Sequence, residues 1–214
     1  MYLGVPLLGW GLGDLIGFFA AGPRMGYAVV VLLLAIGIGW QAHDTPAGFR
    51  GGNGQETALV PRQRLVKHIV VLMLYAGLLL VPLSDRWNLF TMPIAMPLRW
   101  TGVALFAAGI GMVFWSGVAL GRLYSGDVAL QEDHHLITRG PYRFIRHPRY
   151  SGGIALAFGV SLVFRSWLGI IASLLFIVIV LLRIEDEERM MRDAFGAEWD
   201  VYCSRTRRLL PFIY

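Results

Sequence analysis

Two clusters of polar side chains stand out in a chain that is otherwise strongly apolar. Residues 140–152 contain three arginines, one histidine and two tyrosines, and they precede a long apolar run. That run ends at Arg183, and the acidic cluster Glu185-Asp186-Glu187-Glu188 follows it almost at once. Cationic groups bind carboxylates, and carboxylates bind ammonium groups. The two clusters together are therefore suited to a zwitterionic ligand, provided that the fold brings them together.

The first cluster has the features of a helix start. Pro148 disfavours helical geometry at His147 and suits the first turn of a helix that begins there. The free N–H groups of such a helix, with Arg146 and His147, form a site for an anionic group such as a carboxylate. An alternative interpretation is that the arginines only reach for a membrane interface beside the helix start.

The acidic cluster predicts that the preceding helix continues beyond its apolar part. Acidic side chains are unfavourable at the C-terminus of a helix. If the helix continues toward Gly196, Glu187 lies four residues after Arg183 and can pair with it. Metal binding is not indicated, because none of the five histidines shows the spacing of metal ligands, and Cys203 is the single cysteine.

Composition indicates an integral membrane protein with one domain. The chain has 214 residues, of which 56% are hydrophobic and 15% charged, whereas soluble domains carry about 25% charged residues. The net charge of +5 is interpreted as positive loops facing the cytoplasm and not as a nucleic-acid surface. We predict an all-α, polytopic bundle of six transmembrane helices, or five if the first segment does not cross. The apolar segments are 5–21, 27–40, 65–83, 98–120, 150–164 and 167–182.

The order of these segments predicts where the polar clusters meet. A short turn at Arg165-Ser166 makes the last two segments a helical hairpin, whose two outer ends share one membrane face. Fifteen of the nineteen basic residues fall on that face, which places both clusters and both termini in the cytoplasm. Gly22-Pro23-Arg24 is predicted as the turn between the first two segments.

Several short motifs in the C-terminal part carry a family resemblance. Residues 136–142 and Arg146-His147-Pro148-Arg149-Tyr150-Ser151-Gly152 are followed by Glu187-Glu188, by Phe195-Gly196-Ala197-Glu198-Trp199 and by residues 210–213. In this order they resemble the signature region of isoprenylcysteine carboxyl methyltransferases, membrane enzymes related to phospholipid methyltransferases. The resemblance covers roughly residues 130–213 and departs at Trp199, where a tyrosine is usual.

The resemblance implies S-adenosylmethionine (S-adenosyl-L-methionine) as methyl donor, bound at the cytoplasmic face. Residues 126–214 are expected to form the donor-binding core, and residues 1–125 to shape the acceptor pocket. No Gly-x-Gly-x-x-Gly motif follows a strand pattern, so a soluble Rossmann-type methyltransferase is excluded. The residues expected to bind the donor are Gly140, Tyr142, Arg146, His147, Pro148, Tyr150, Gly152, Glu187 and Glu188.

Roles follow from the charges of the donor. Arg146 and His147 are assigned to its carboxylate, and Glu187 and Glu188 to its ammonium group or ribose. The tyrosines Tyr142 and Tyr150 are assigned to the nucleoside, and the two glycines allow close backbone approach. The expected catalytic residues are Arg146, Glu188 and Arg205.

The acceptor is expected to be a lipid or another lipophilic small molecule that enters from the bilayer. A carboxylate acceptor needs a cation, for which Arg205 is the candidate, whereas an amine or thiol needs a base such as Glu188 or His147. Phospholipid N-methylation and thiol S-methylation are therefore alternatives to carboxyl methylation. A nicotinamide-dependent sterol-type reductase and a non-catalytic membrane protein are alternatives of other classes.

Overall fold

The computed structural model describes residues 12–20, 22–44, 69, 77, 80–120 and 136–210, and these residues are almost entirely helical. Residues 80–86 are helical and belong to the helix named α3 here. The other helices are α1 (Leu12–Phe19), α2 (Gly22–Asp44), α4 (Met96–Leu120), a 3-10 helix (Gly140–Arg143), α5 (Pro148–Val163), α6 (Trp167–Phe195) and α7 (Ala197–Arg205). Within the described ranges, extended pairing is limited to two isolated bridges, Thr91 with Ser166 and Ile145 with Arg207. The all-α prediction is confirmed for this part of the chain.

Two of the described helices, α4 and α6, are long and apolar enough to cross a membrane. A crossing needs about 20 apolar residues, and these helices have 25 and 29 residues. Large apolar side chains such as Leu174, Leu175 and Val178 lie exposed along α6, as expected for a helix in contact with lipid. The predicted number of six spans stays a prediction, because most of segment 65–83 and about half of segment 5–21 fall outside the described residues.

Helices α4 and α5 pack closely because glycines face each other at two levels. A Cβ added to Gly152 would lie 2.8 Å from the carbonyl oxygen of Gly109. At the second level, a Cβ added to Gly159 would lie 2.8 Å from the carbonyl oxygen of Gly102. Small residues at matched levels let two helix backbones approach within a membrane. The close approach that Gly152 permits in this structure is therefore to α4.

The turn between α5 and α6 falls at Arg165-Ser166, as predicted. Arg165 has φ = 51°, a left-handed conformation that reverses the chain direction. The Ser166 hydroxyl accepts a hydrogen bond from the N–H of Gly169 and so caps α6. Ser84 in α3 donates to the same hydroxyl at 2.9 Å. The hairpin is thus held at its turn by a third helix.

Two consecutive helices, α6 and α7, form the C-terminal part of the described chain. The predicted continuation of α6 is confirmed, since the helix runs to Phe195 and ends at Gly196, which has φ = 50°. Helix α7 follows directly and was not predicted. It brings Trp199 and Tyr202 into the protein interior.

The predicted turn at Gly22-Pro23-Arg24 is wrong. These residues form the first turn of α2, which begins at Gly22, five residues before the predicted segment. Proline has no N–H to lose in the first turn and its φ suits a helix, so Pro23 starts the helix.

A buried aromatic cluster joins α1, α2, α4 and the end of α5. Its members are Phe18, Tyr27, Phe106 and Phe164.

Candidate functional site

The segment between the 3-10 helix and α5 is held in place by the C-terminal end of the described chain. The N–H of Arg146 donates to the carbonyl of Arg207 at 2.7 Å, and the N–H of His147 donates to the carbonyl of Arg208 at 3.0 Å. In return, the N–H of Arg207 donates to the carbonyl of Phe144 at 3.2 Å. This backbone pairing places residues 206–208 beside Arg146 and His147, although about sixty residues of sequence separate them.

The Arg146 side chain connects three parts of the site. Its Nε donates to Oε1 of Glu188 at 2.8 Å. Its Nη1 donates to the carbonyl of Thr206 at 2.6 Å and to the carbonyl of Cys203 at 3.3 Å. A planar guanidinium can serve several acceptors at once. Arg146 therefore joins α6, the end of α7 and the start of α5.

His147 lies buried between the two carboxylates. Its Nε2 is 3.4 Å from Oε1 of Glu188, and its Nδ1 is 3.5 Å from Oε2 of Glu187. Burial opposes the charged imidazolium, but the hydrogen bonds that the ring donates to Glu187 and Glu188 outweigh burial and raise the pKa of His147 above its ordinary value. The geometry thus favours the protonated ring, which donates from both nitrogens.

The two carboxylates of the site lie beyond the apolar part of α6, and each has several donors. Glu187 accepts from the Tyr150 hydroxyl at 2.5 Å and from Nε of Arg183 at 3.1 Å, so the predicted pair with Arg183 is confirmed. Glu188 accepts from Arg146 and, at 2.9 Å, from Nε of Arg208. Burial raises the pKa of Glu188, but hydrogen bonds from His147, Arg146 and Arg208 outweigh it and lower that pKa to about 2.

Arg208 is the site residue that the sequence analysis missed. It contacts Glu188 through both Nε and Nη2, yet it lies in a tail with three arginines in four residues, 205–208. The sequence alone does not say which of these arginines turns inward.

The basic and acidic clusters meet as the hairpin topology predicts. The side chains of Glu187 and Arg208 are 20% and 33% exposed, so a ligand can reach the cluster.

The remaining predicted residues lie in the 3-10 helix, at the start of α5 and at the end of α7. Pro148 is the buried first residue of α5. The carbonyl of Tyr142 accepts the Tyr202 hydroxyl at 2.7 Å, which links the 3-10 helix to α7. Gly140 has φ = 61°, and a Cβ there would lie 3.0 Å from that of Ala119 in α4. Arg205 is exposed at the last residue of α7.

Trp199 is buried to 2% exposure, and its indole Nε1 has no hydrogen-bond partner among the described residues. Its ring packs on Tyr202, with centroids 5.5 Å apart. An unpaired buried donor is uncommon in folded proteins.

In the described part of the chain, no group of histidine, cysteine and carboxylate side chains is arranged to hold a metal ion.

Comparisons with known proteins find similarity to methyltransferases. Residues 98–198 match the model of the phospholipid methyltransferase family. The chain is 34% identical over 99 residues to a probable protein-S-isoprenylcysteine O-methyltransferase of Oryza sativa subsp. indica, covering 45% of this chain and 52% of the relative. It is 30% identical over 102 residues to protein-S-isoprenylcysteine O-methyltransferase B of Arabidopsis thaliana, covering 45% and 50%. The chain thus spans about half the length of these curated relatives.

The fold is also similar to a solved structure. The eukaryotic intramembrane Ras methyltransferase, isoprenylcysteine carboxyl methyltransferase, superposes with a TM-score of 0.54 at 20% sequence identity. The match covers 73% of this chain and 55% of the other. At this identity the likeness concerns the fold, which is that of an integral membrane protein. Together the three comparisons confirm the family resemblance found in the sequence motifs.

Proposed function

We propose that this chain, a relative of the isoprenylcysteine carboxyl methyltransferases, is an integral membrane enzyme that transfers a methyl group from S-adenosylmethionine to a lipophilic acceptor. One observation supports this most directly. The residues of the family motif and the two glutamates of α6 form a single buried ionic cluster, in which Arg146 and His147 contact Glu187 and Glu188.

The residues present fit the methyl donor that the family implies. That donor carries a sulfonium, an ammonium group and a carboxylate, so its site needs groups of both signs. Two carboxylates lie here beside Arg146, Arg208 and a histidine whose pKa is raised. The indole N–H of Trp199 in the neighbouring helix has no partner in the described part of the chain and is a further donor for a polar ligand. The donor set therefore matches a zwitterion.

The chain's own residues bind and orient. Arg146 and His147 would hold the carboxylate of the donor, and Glu187 and Glu188 its ammonium group or ribose. Tyr142 and Tyr150 would contact the nucleoside. When bound, the donor supplies a methyl group on positively charged sulfur, which a carboxylate acceptor can take without losing a proton. Alignment of the two reactants and exclusion of water are then the main contributions of the protein.

The acceptor is proposed from the relatives, whose names state O-methylation of protein-S-isoprenylcysteine. A carboxylate on a prenylated cysteine is lipophilic at one end and anionic at the other. Such an acceptor reaches the polar end of α6 from the bilayer, and residues 1–125 would shape its pocket. Arg205, exposed near this end, is the candidate cation for the acceptor carboxylate.

The orientation is proposed from the basic residues. Six of them lie between Arg183 and Arg208, at the polar end of α6 and in the tail beyond it. Positive charge accumulates in cytoplasmic segments, so the site and both termini are assigned to the cytoplasmic side.

The proposal is tested by binding and by transfer. Calorimetry of the detergent-purified chain should show binding of S-adenosylmethionine. With a radiolabelled methyl donor, label should appear in a farnesylcysteine analogue and, at a lower rate, in phosphatidylethanolamine or a small thiol. Binding of reduced nicotinamide without binding of the methyl donor would overturn the proposal in favour of a reductase. Donor binding with transfer only to phosphatidylethanolamine or a thiol would overturn the choice of a carboxylate acceptor.

A further inference from the structure

A second charged cluster lies at the turn of the α5–α6 hairpin, far from the site described above. Its centre is Asp85, whose side chain is completely buried. Nε of Arg24 donates to Oδ2 of Asp85 at 2.8 Å, and Nη2 of Arg165 donates to Oδ1 at 2.7 Å. A third guanidinium, that of Arg99, places Nη2 3.5 Å from Oδ2. Four separate helices or turns meet at this one carboxylate.

The cluster carries more positive than negative charge. Three guanidinium groups share one carboxylate in the described part of the chain, which leaves a formal excess of two positive charges. Nη2 of Arg99 is buried and has no hydrogen-bond partner among the described residues, while its Nε donates to the carbonyl of Val163. Buried cations are costly unless they are paired. Among the described residues, the three guanidinium groups thus have a single anionic partner, Asp85.

The excess charge is accessible from outside the protein. The side chains of Arg24 and Arg165 are 24% and 27% exposed. A fourth cation, Arg86, is exposed at the rim, where it and Arg24 lie over the same Phe18 ring, at 5.9 Å and 4.3 Å from its centroid. An anion can therefore reach the guanidinium groups without opening the fold.

The distance between the two charged clusters matches a membrane. Helix α6 begins at Trp167, beside Arg165, and reaches Glu188 after 21 residues, which corresponds to about 32 Å at 1.5 Å per residue. The hydrocarbon core of a bilayer is about 30 Å thick. Between the two ends, α6 exposes apolar side chains such as Ile171, Leu174 and Val178. The Asp85 cluster therefore lies at the membrane face opposite Glu188.

Aromatic side chains surround the cluster at the same level. Trp87 follows Asp85 by two residues, Trp100 follows Arg99, and Trp167 follows Arg165 by two residues. All three are exposed, as is Phe90. Exposed tryptophans mark the level of lipid headgroups. The accessible arginines thus lie where the phosphates of lipids are found.

We propose that the cluster of Arg24, Arg99 and Arg165 around Asp85 binds the phosphate of an anionic phospholipid in the leaflet opposite the catalytic site. Guanidinium forks match phosphate oxygens in geometry and charge. A lipid with net negative charge neutralises part of the excess, whereas a zwitterionic lipid brings its own cation. The lipid tails lie against the apolar surface of the bundle.

The test is native mass spectrometry of the full chain in a neutral detergent. Phosphatidylglycerol, phosphatidylcholine and inorganic phosphate are titrated in separate arms. We expect one molecule of phosphatidylglycerol per chain at concentrations at which neither phosphatidylcholine nor inorganic phosphate is retained. Equal retention of the two lipids, or binding of inorganic phosphate as tight as that of phosphatidylglycerol, would overturn the proposal.

Charge variants of opposite sign distinguish lipid binding from a merely structural role. Arg24→Gln should weaken phosphatidylglycerol binding about fivefold, since one arginine contributes about that factor at an anionic lipid surface. Asp85→Asn removes the competing carboxylate and should tighten binding. Arg189→Gln, an exposed arginine near the other end of α6, is the matched control and should leave binding unchanged.

If Arg24→Gln fails to fold, Arg86→Gln at the exposed rim replaces it and should weaken lipid binding. Weaker binding in both Arg24→Gln and Asp85→Asn, with folding intact, contradicts the proposal, because a structural role predicts losses from either change.

Discussion

Arg146 and Glu188 are 42 residues apart in sequence, yet Nε of the arginine donates to Oε1 of the glutamate at 2.8 Å. Both side chains are largely buried. This contact joins the motif at the start of α5 to the acidic cluster on α6. It is the point at which the proposed donor site is assembled.

Glu188→Gln should weaken binding of S-adenosylmethionine at least about tenfold, or about 1.4 kcal/mol. The substitution removes the charge that pairs with Arg146 and Arg208 and disturbs the array of charges around the donor. Calorimetry in detergent measures the affinity. Glu185→Gln is the matched control, since Glu185 is exposed on the same helix and its substitution should leave the affinity unchanged. Normal donor binding in both Glu187→Gln and Glu188→Gln refutes the assignment of the site.

Arg146→Lys should release the C-terminal segment from the motif. Arg146 bonds to Glu188 and to the carbonyls of Thr206 and Cys203 simultaneously, and a single ammonium group cannot reproduce this planar arrangement. Hydrogen exchange should quicken at the amides of Arg146 and Arg207, which pair the two segments. Arg189→Lys is the control. Unchanged exchange at both amides shows that Arg146 does not hold the segment.

Gly152→Ala should destabilise the protein by about 1–3 kcal/mol, the usual effect of overpacking. The added methyl group would lie 2.8 Å from the backbone carbonyl oxygen of Gly109, so α4 and α5 must separate. Gly111→Ala is a control in α4, because a Cβ there meets nothing within 4 Å. It should change stability by no more than about 1 kcal/mol, in the favourable direction. Thermal unfolding in detergent measures both, and similar melting temperatures contradict the close contact.

The cluster around His147 should make stability depend on pH in two windows. The pKa of His147 is raised in the folded state from 6.5, so its contribution is complete below pH 6.5 and is lost as the pH rises through the raised value. The pKa of Glu188 is lowered from 4.5 to about 2, so its contribution is present above pH 4.5 and is lost as the pH falls toward 2.

The difference in melting temperature between the wild type and His147→Gln isolates the histidine. It should be largest between pH 5 and 6.5 and should shrink as the solution becomes alkaline. A difference that is constant from pH 5 to 9 contradicts a charged His147 between the two glutamates.

Much of the C-terminal half was predictable because its signals are local. Pro148 at the first turn of α5, the turn at Arg165-Ser166 and the end of α6 at Gly196 each follow from the backbone preference of one or two residues. The pairing of Arg183 with Glu187 follows from helix periodicity. The prediction at Gly22-Pro23-Arg24 was wrong because the same residue types open a helix as readily as they form a turn.

The sequence by itself determined the helical, membrane-embedded class, the hairpin and the meeting of its two polar ends, because apolar length and helix-start residues act over short stretches of chain. Tertiary structure decided the rest. It selected Arg208 from a run of similar arginines as the partner of Glu188, turned Gly152 against α4, and gathered Arg24, Arg99 and Arg165 around Asp85. Such contacts depend on how separate helices are oriented in space, and no local preference of the chain encodes that.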